Sequence, residues 1–269
     1  MRLKEALPGC KEAIGSNFGT LFKEQRAEIE EMVKRDKGWV GKSLENYLGL
    51  PPSSKLLDFE DGELKTTKYS KNAQKEPSIA ITKINSTETR RDDGTWTIDP
   101  YISNASFVDS PVHRKTERII LMKYYCEPDK ERTWEKWRFE ELWNLDASCG
   151  AKLFKKLEAD YQFITKVMTR WLESSDDNML RTIPNSRSSD YEEKEYGKHS
   201  IIQIRTKGKG KGQDTRMWSE RLDRYVTGER EDGTPKAGYT FYFKSANLYR
   251  FLDEKCPELL IRSVNHEGY

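Results

Sequence analysis

The chain has 269 residues, with 47 Lys and Arg against 45 Asp and Glu, a net charge of +2, and 11% aromatic residues. That length gives ample material for a core, and that aromatic content excludes a disordered polymer. A global charge this small means that any nucleic-acid surface must come from local clustering.

In chain order, residues 10–50 read as helical. Phe18, Leu21 and Phe22, then Ile29, Met32 and Val33, recur at helical spacing. A second helix is expected after Gly38, with Val40, Leu44, Tyr47 and Leu48 on one stripe and Gly49 near its end. Leu56–Lys68, Ser78–Ile84 and Arg118–Tyr125 read as strands, the last carrying the apolar run Ile119-Ile-Leu-Met of a central strand. Cys149–Leu172 predicts a long amphipathic helix, and Ser174–Glu195 a polar surface loop or extension. His199–Lys207 and Tyr239–Lys244 read as strands, Met217–Tyr225 as helix or loop, and Ser245–Leu252 as helix. Trp134, Trp137 and Trp143 read as packing residues. The expected fold class is α/β or α+β, a mixed sheet flanked by helices. No apolar run reaches the roughly 20 residues needed to cross a bilayer, and the first residues lack a signal-peptide core. Four scattered cysteines and three histidines argue against zinc and a disulfide framework, so a cytoplasmic protein without a membrane role is expected.

The sharpest local pattern is Leu56-Leu-Asp-Phe-Glu-Asp-Gly-Glu-Leu-Lys-Thr. Asp61-Gly62 suits a type I′ hairpin turn, in which both residues take positive φ. Such a turn would oppose Glu60 to Glu63, Phe59 to Leu64 and Asp58 to Lys65, with Asp58, Glu60, Glu63 and Lys65 on one face. Carboxylates so placed could share a hard divalent cation, and a neighbouring ammonium could stabilise charge in phosphodiester hydrolysis. The same residues also fit a solvated acidic hairpin.

The wider context, Lys37-Gly-Trp-Val-Gly-Lys-Ser-Leu-Glu-Asn-Tyr-Leu-Gly, then Ser54-Lys55, Asp58-Phe59 and Glu63-Leu-Lys-Thr, resembles the MutH family of DNA mismatch-repair endonucleases. That family includes restriction enzymes and belongs to the PD-(D/E)xK nuclease fold, so the resemblance implies a restriction-endonuclease-like sheet. Asp58 and Glu63 would be ligands of Mg2+, Lys65 the catalytic lysine, and Glu45 a further carboxylate from the preceding helix. The family has about two more residues between the Asp and the Glu, so Glu60 is the alternative to Asp58. Val112-His-Arg-Lys-Thr-Glu-Arg-Ile-Ile resembles the segment bearing a second active-site lysine, here Lys115. Ile202-Gln-Ile-Arg-Thr-Lys resembles the DNA-contacting strand, which gives Arg205 and Lys207, and Gly238-Tyr-Thr-Phe-Tyr-Phe-Lys gives Tyr242.

Beyond Arg205, Lys207, Lys209 and Lys211 alternate with glycine, as suits phosphate contacts, whereas arginine can read guanine. Glu127–Trp143 and Ser174–Glu195 read as insertions in one domain, with about 1–145 a catalytic lobe and about 146–269 a DNA-recognition lobe. The implied activity is a type II restriction endonuclease on double-stranded DNA, at a GATC-type site, with a cognate DNA methyltransferase as system partner. The alternatives are a nicking enzyme that works with mismatch-repair partners at unmethylated or hemimethylated sites, and a non-catalytic DNA-binding module.

Overall fold

The structure, a computed structural model, describes residues 1–36, 38–50, 57–69, 77–102, 106–126, 133–173, 182–206, 217–226 and 239–264. In chain order its helices and strands are α1 (Leu3–Ala13), α2 (Phe18–Leu21), α3 (Arg26–Arg35), α4 (Trp39–Tyr47), β1 (Glu63–Tyr69), β2 (Ile79–Lys83), α5 (Pro111–Thr116), β3 (Arg118–Tyr125) and β4 (Arg138–Asp146). There follow α6 (Ala151–Glu173), α7 (Tyr191–His199), β5 (Ile202–Thr206), β6 (Met217–Ser219), β7 (Arg224–Val226), β8 (Tyr239–Phe243), α8 (Ser245–Lys255) and β9 (Leu260–Ser263). Helices thus accompany sheets that mix parallel and antiparallel strands, the fold class the sequence predicts. Among the described residues no helix is long and apolar enough to cross a membrane.

The chain forms two compact units from interleaved segments. The first comprises Met1–Ile79, Lys115–Ala151 and Leu252–Tyr269, and the second Ala80–Arg114 and Lys152–Phe251.

In the first unit four strands lie in the order β1-β3-β4-β9. β1 and β3 run parallel, with Glu63 beside Ile119 and Lys65 beside Leu121. The alternating pleat sends Leu64, Ile120 and Met122 into a core shared with Leu3, Ile29, Val40 and Leu44 from the helices. Aromatic rings dominate this core: Phe18 lies 4.8 Å from Phe139 and 5.6 Å from Tyr124, and Trp39 lies 5.7 Å from both Trp134 and Trp137. Burying each such ring stabilises the unit by roughly 1.5–3 kcal/mol. Gly38 caps the start of α4, and Gly49, at φ +73°, follows its last turn, as the sequence predicts. Trp134 and Trp143 are buried packing residues.

Two expectations for this unit fail. The Asp61-Gly62 hairpin does not form: 57–61 are not strand, and β1 pairs with β3 instead. Neither residue takes a positive φ, so the turn is not type I′. Gly62 is required by crowding: a Cβ there would lie 2.3 Å from Leu3 Cδ1 and 2.8 Å from the Arg118 carbonyl oxygen. The stretch read as an insertion, Glu127–Trp143, contains most of β4, a strand interior to the sheet. A bulge opposite Lys123 and Tyr124 breaks the alternation in β4 and places the polar pair Glu140 and Glu141 inside a strand, which hid it from its hydrophobic pattern.

The second unit holds the three-stranded sheet β2-β8-β5 and the ribbon β6-β7. Tyr161 of α6 packs its ring against Phe107 and Phe241 and donates a 2.5 Å hydrogen bond to the Pro100 carbonyl. The wholly buried Asp160 accepts from the backbone N–H groups of Ile201 (2.6 Å) and Ile202 (3.3 Å), fixing the start of β5. Two further expectations are corrected here. Met217–Tyr225 contains strands of the ribbon, whose bonding is local and too short for a periodic signal. The polar stretch Ser174–Glu195 ends in α7, started by Asp190, whose carboxylate accepts from Glu193 N–H. Residues 174–181 of that stretch lie outside the described residues.

Candidate active site

Glu63 is the hub. It opens β1, and its side chain is 0% exposed. An isolated buried carboxylate would cost several kcal/mol, and two ammonium groups offset that cost. Lys65 reaches Glu63 Oε2 from two residues along β1, the spacing that places both side chains on one face. Lys115 Nζ, 52 residues away in sequence, reaches Glu63 Oε1 at 2.5 Å from the end of α5. The parallel register explains the meeting. Glu63 stands beside Ile119, so the residues just before β3 arrive next to the start of β1.

Asp58 completes the group. Its Oδ2 accepts the backbone N–H of Leu64 at 2.9 Å and lies 3.5 Å from Lys65 Nζ, so one ammonium joins both carboxylates. Glu45, on α4, is close enough to Asp58, Glu63 and Lys65 to feel their charges. Burial, then Asp58, raises the Glu45 pKa. Burial raises that of Glu63 too and outweighs the opposing pull of Lys65 and Lys115, with Asp58 pushing in the same direction as burial. Burial pulls Lys65 downward, but Glu63 and Asp58 together outweigh it, and its pKa is raised.

Five residues from distant parts of the sequence thus make one constellation: Glu45, Asp58, Glu63, Lys65 and Lys115. Glu60 does not join it. The fourth member of the expected face is exposed, and its carboxylate pairs with the terminal ammonium at 2.9 Å and with Arg2 at 3.6 Å, because the loop turns it away from β1.

In the second unit, Arg205 and Tyr242 come together. Gln203 pairs with Tyr242 across β5 and β8, and Arg205 with Thr240, so the two lie on one sheet face. The guanidinium carbon sits 5.2 Å from the ring centroid, a cation–π contact. Burial raises the Tyr242 pKa, with Arg205 opposing. Lys207, Lys209 and Lys211 lie outside the described residues.

No family model matches the chain. One segment is similar to the DNA mismatch repair protein MutH of Vibrio campbellii, 41% identical over 51 residues, which is 19% of this chain and 23% of that protein. The MutH proteins of two Vibrio vulnificus strains are 40% identical over 58 residues, 21% of this chain and 26% of theirs. The likeness is local. The chain thus spans about a quarter of the length of the relatives it matches, and over that segment the similarity supports a relation to MutH-like nucleases.

Among the described residues, no three His, Cys, Asp or Glu side chains form a ready cage for a metal ion. Magnesium does not require one, since it takes one or two carboxylates and completes its shell with water and substrate oxygens. The donors here are carboxylate oxygens held around the shared ammonium of Lys65, hard ligands that suit such an ion.

Proposed function

We propose that this protein is a magnesium-dependent endonuclease that hydrolyses phosphodiester bonds of double-stranded DNA in the cytoplasm, at specific sites, as a type II restriction enzyme. The observation that carries this reading is the convergence of Lys65 and Lys115 on the wholly buried Glu63, with Asp58 on the same ammonium. Asp58 and Glu63 would hold the Mg2+, with Glu45 beside them. When bound, the ion supplies positive charge to the phosphate and a more acidic water. Lys115 keeps Glu63 oriented, and Lys65 balances the carboxylates and offers an ammonium to the charge that develops on the phosphorane. Arg205, set against the Tyr242 ring, is suited to a bidentate contact with guanine. Lys207, Lys209 and Lys211 would contact phosphates, and a cognate methyltransferase would protect the host's own sites.

A second reading, a nicking enzyme of mismatch repair, is favoured by the local similarity to DNA mismatch repair proteins MutH. Incubating the purified protein and Mg2+ with methylated, hemimethylated and unmethylated plasmid separates the two. Discrete linear products support restriction, at a GATC-type sequence or another read from the ends. Single-strand nicks confined to unmethylated strands support repair. DNA binding without cleavage under any divalent ion overturns both and leaves a non-catalytic binding module.

A further inference from the structure

The loop that carries Asp58 is anchored by contacts that the metal and lysine chemistry does not use. Asp61 Oδ1 accepts the backbone N–H of Leu3 at 2.8 Å, in the first turn of α1, where helix N–H groups lack intrahelical partners. The other oxygen, Oδ2, lies 3.4 Å from the guanidinium of Arg118, the first residue of β3, and Arg118 also pairs with Asp146 at 3.5 Å. Phe59, buried in the core, donates its N–H to the Gly62 carbonyl at 3.0 Å and closes the turn. Gly62 sits so close to Leu3 and to the Arg118 backbone that no side chain fits. The loop is thus pinned between α1 and β3. Asp58 lies three residues before Asp61, and its carboxylate takes the N–H of Leu64, just beyond the turn.

We propose that Asp61 is a positioning residue. By tying the loop to α1 and Arg118, it holds the Asp58 carboxylate at Leu64 N–H and Lys65. That role is separate from the turn-forming one its Asp-Gly sequence suggests. Its geometric half stands on the contacts alone, and its catalytic consequence rests on the endonuclease reading above.

The test compares wild type, Asp61→Ala and Asp61→Asn. The asparagine keeps an acceptor for Leu3 N–H and gives up the charge facing Arg118. Amide hydrogen exchange is read at Leu64, with the amides of β3 as internal reference. The Mg2+ concentration for half-maximal plasmid cleavage is read in parallel, with kcat at saturating Mg2+. Residues that orient metal ligands typically change metal affinity by roughly 10- to 100-fold. Asp61→Ala is expected to lose Leu64 protection relative to β3 and to raise the half-saturating Mg2+ by about that factor, with a smaller effect on kcat. Asp61→Asn should fall nearer to wild type in both, a graded rescue that general loosening of the fold would not give. Unchanged Leu64 protection in Asp61→Ala, with wild-type Mg2+ dependence, overturns the proposal while leaving the endonuclease intact. Lost Leu64 protection in Asp61→Ala, in a protein whose wild type cuts no DNA under any divalent ion, upholds the anchoring role and removes the endonuclease reading. Should Asp61→Ala not fold, Asp61→Asn decides: a partial loss of Leu64 protection with a matching partial rise in the half-saturating Mg2+ upholds the proposal, and wild-type values in both overturn it.

Discussion

Replacing Lys115 with methionine tests the hub most directly, because it removes one charge from Glu63 and keeps most of the side-chain volume. Glu63 is fully buried and Lys115 only 14% exposed, at 2.5 Å. Removing one partner of a buried pair costs roughly 3–5 kcal/mol. Lys65 remains on the other oxygen, which puts the expected loss near the lower end, about 3 kcal/mol, a large part of a typical stability of roughly 5–15 kcal/mol. The loss should depend on pH, with a sign that follows from Glu63. Burial already raises its folded pKa above the ordinary 4.5, and loss of Lys115 raises it further. A carboxyl with a raised folded pKa binds its proton more tightly in the native state, so stability falls as pH rises from the unfolded value through the folded one. In Lys115→Met that fall is steeper and reaches higher pH, so the gap to wild type widens with pH. Urea denaturation at about pH 5 and about pH 8 measures it. An equal gap at both values would mean that Lys115 acts through packing alone, and would refute the electrostatic account of the hub.

Lys65→Ala is expected to abolish cleavage and spare DNA binding; gel shifts beside a plasmid assay check it, and normal cutting would remove the central role given to this lysine. Arg205→Ala should lose roughly 1–3 kcal/mol of discrimination between sites, read by sequencing the ends it makes, and an unchanged pattern would sink the assignment. Burial, then the Glu141 charge, pushes the Glu140 carboxyl up to about 7 from 4.5, with the Arg138 guanidinium 2.8 Å away. A raised carboxyl costs stability as pH climbs through that window, so Glu140→Gln should flatten the decline by at most about 3 kcal/mol; parallel urea curves for the two proteins across it would show that Glu140 does not titrate there.

What the sequence revealed and what it concealed divide along physical lines. The Glu63-Leu-Lys65 spacing is legible because a strand has period two, and the structure keeps both side chains on one face of β1. β3 and α4 are legible because an apolar run and a helix bounded by glycines are local signals. Lys115 is different. Only the resemblance singles it out in the sequence; the parallel pairing of β1 with β3 brings it to Glu63. The Asp61-Gly62 turn misled for the converse reason. A strong local preference for a hairpin gave way to tertiary contacts, with Leu3 and Arg118 claiming the loop and β3 claiming the strand. β4 was hidden by Glu140 and Glu141 at its bulge, side chains that the pattern assigns to solvent and the fold holds within the sheet.

The charges of the constellation explain why such a site needs its lysines before any ligand arrives. Glu45, Asp58 and Glu63 against Lys65 and Lys115 leave one net negative charge when all five are ionised. Without the two ammonium groups, three carboxylates would repel one another, and the buried Glu63 would take up a proton. With them, Glu63 has a partner on each oxygen and is held before any ligand arrives. The residual negative charge favours a divalent cation and disfavours a bare phosphodiester, and adding two positive charges reverses the sign. On the proposed reading, metal and DNA therefore bind in a coupled way, since each alone meets a less favourable field than both together.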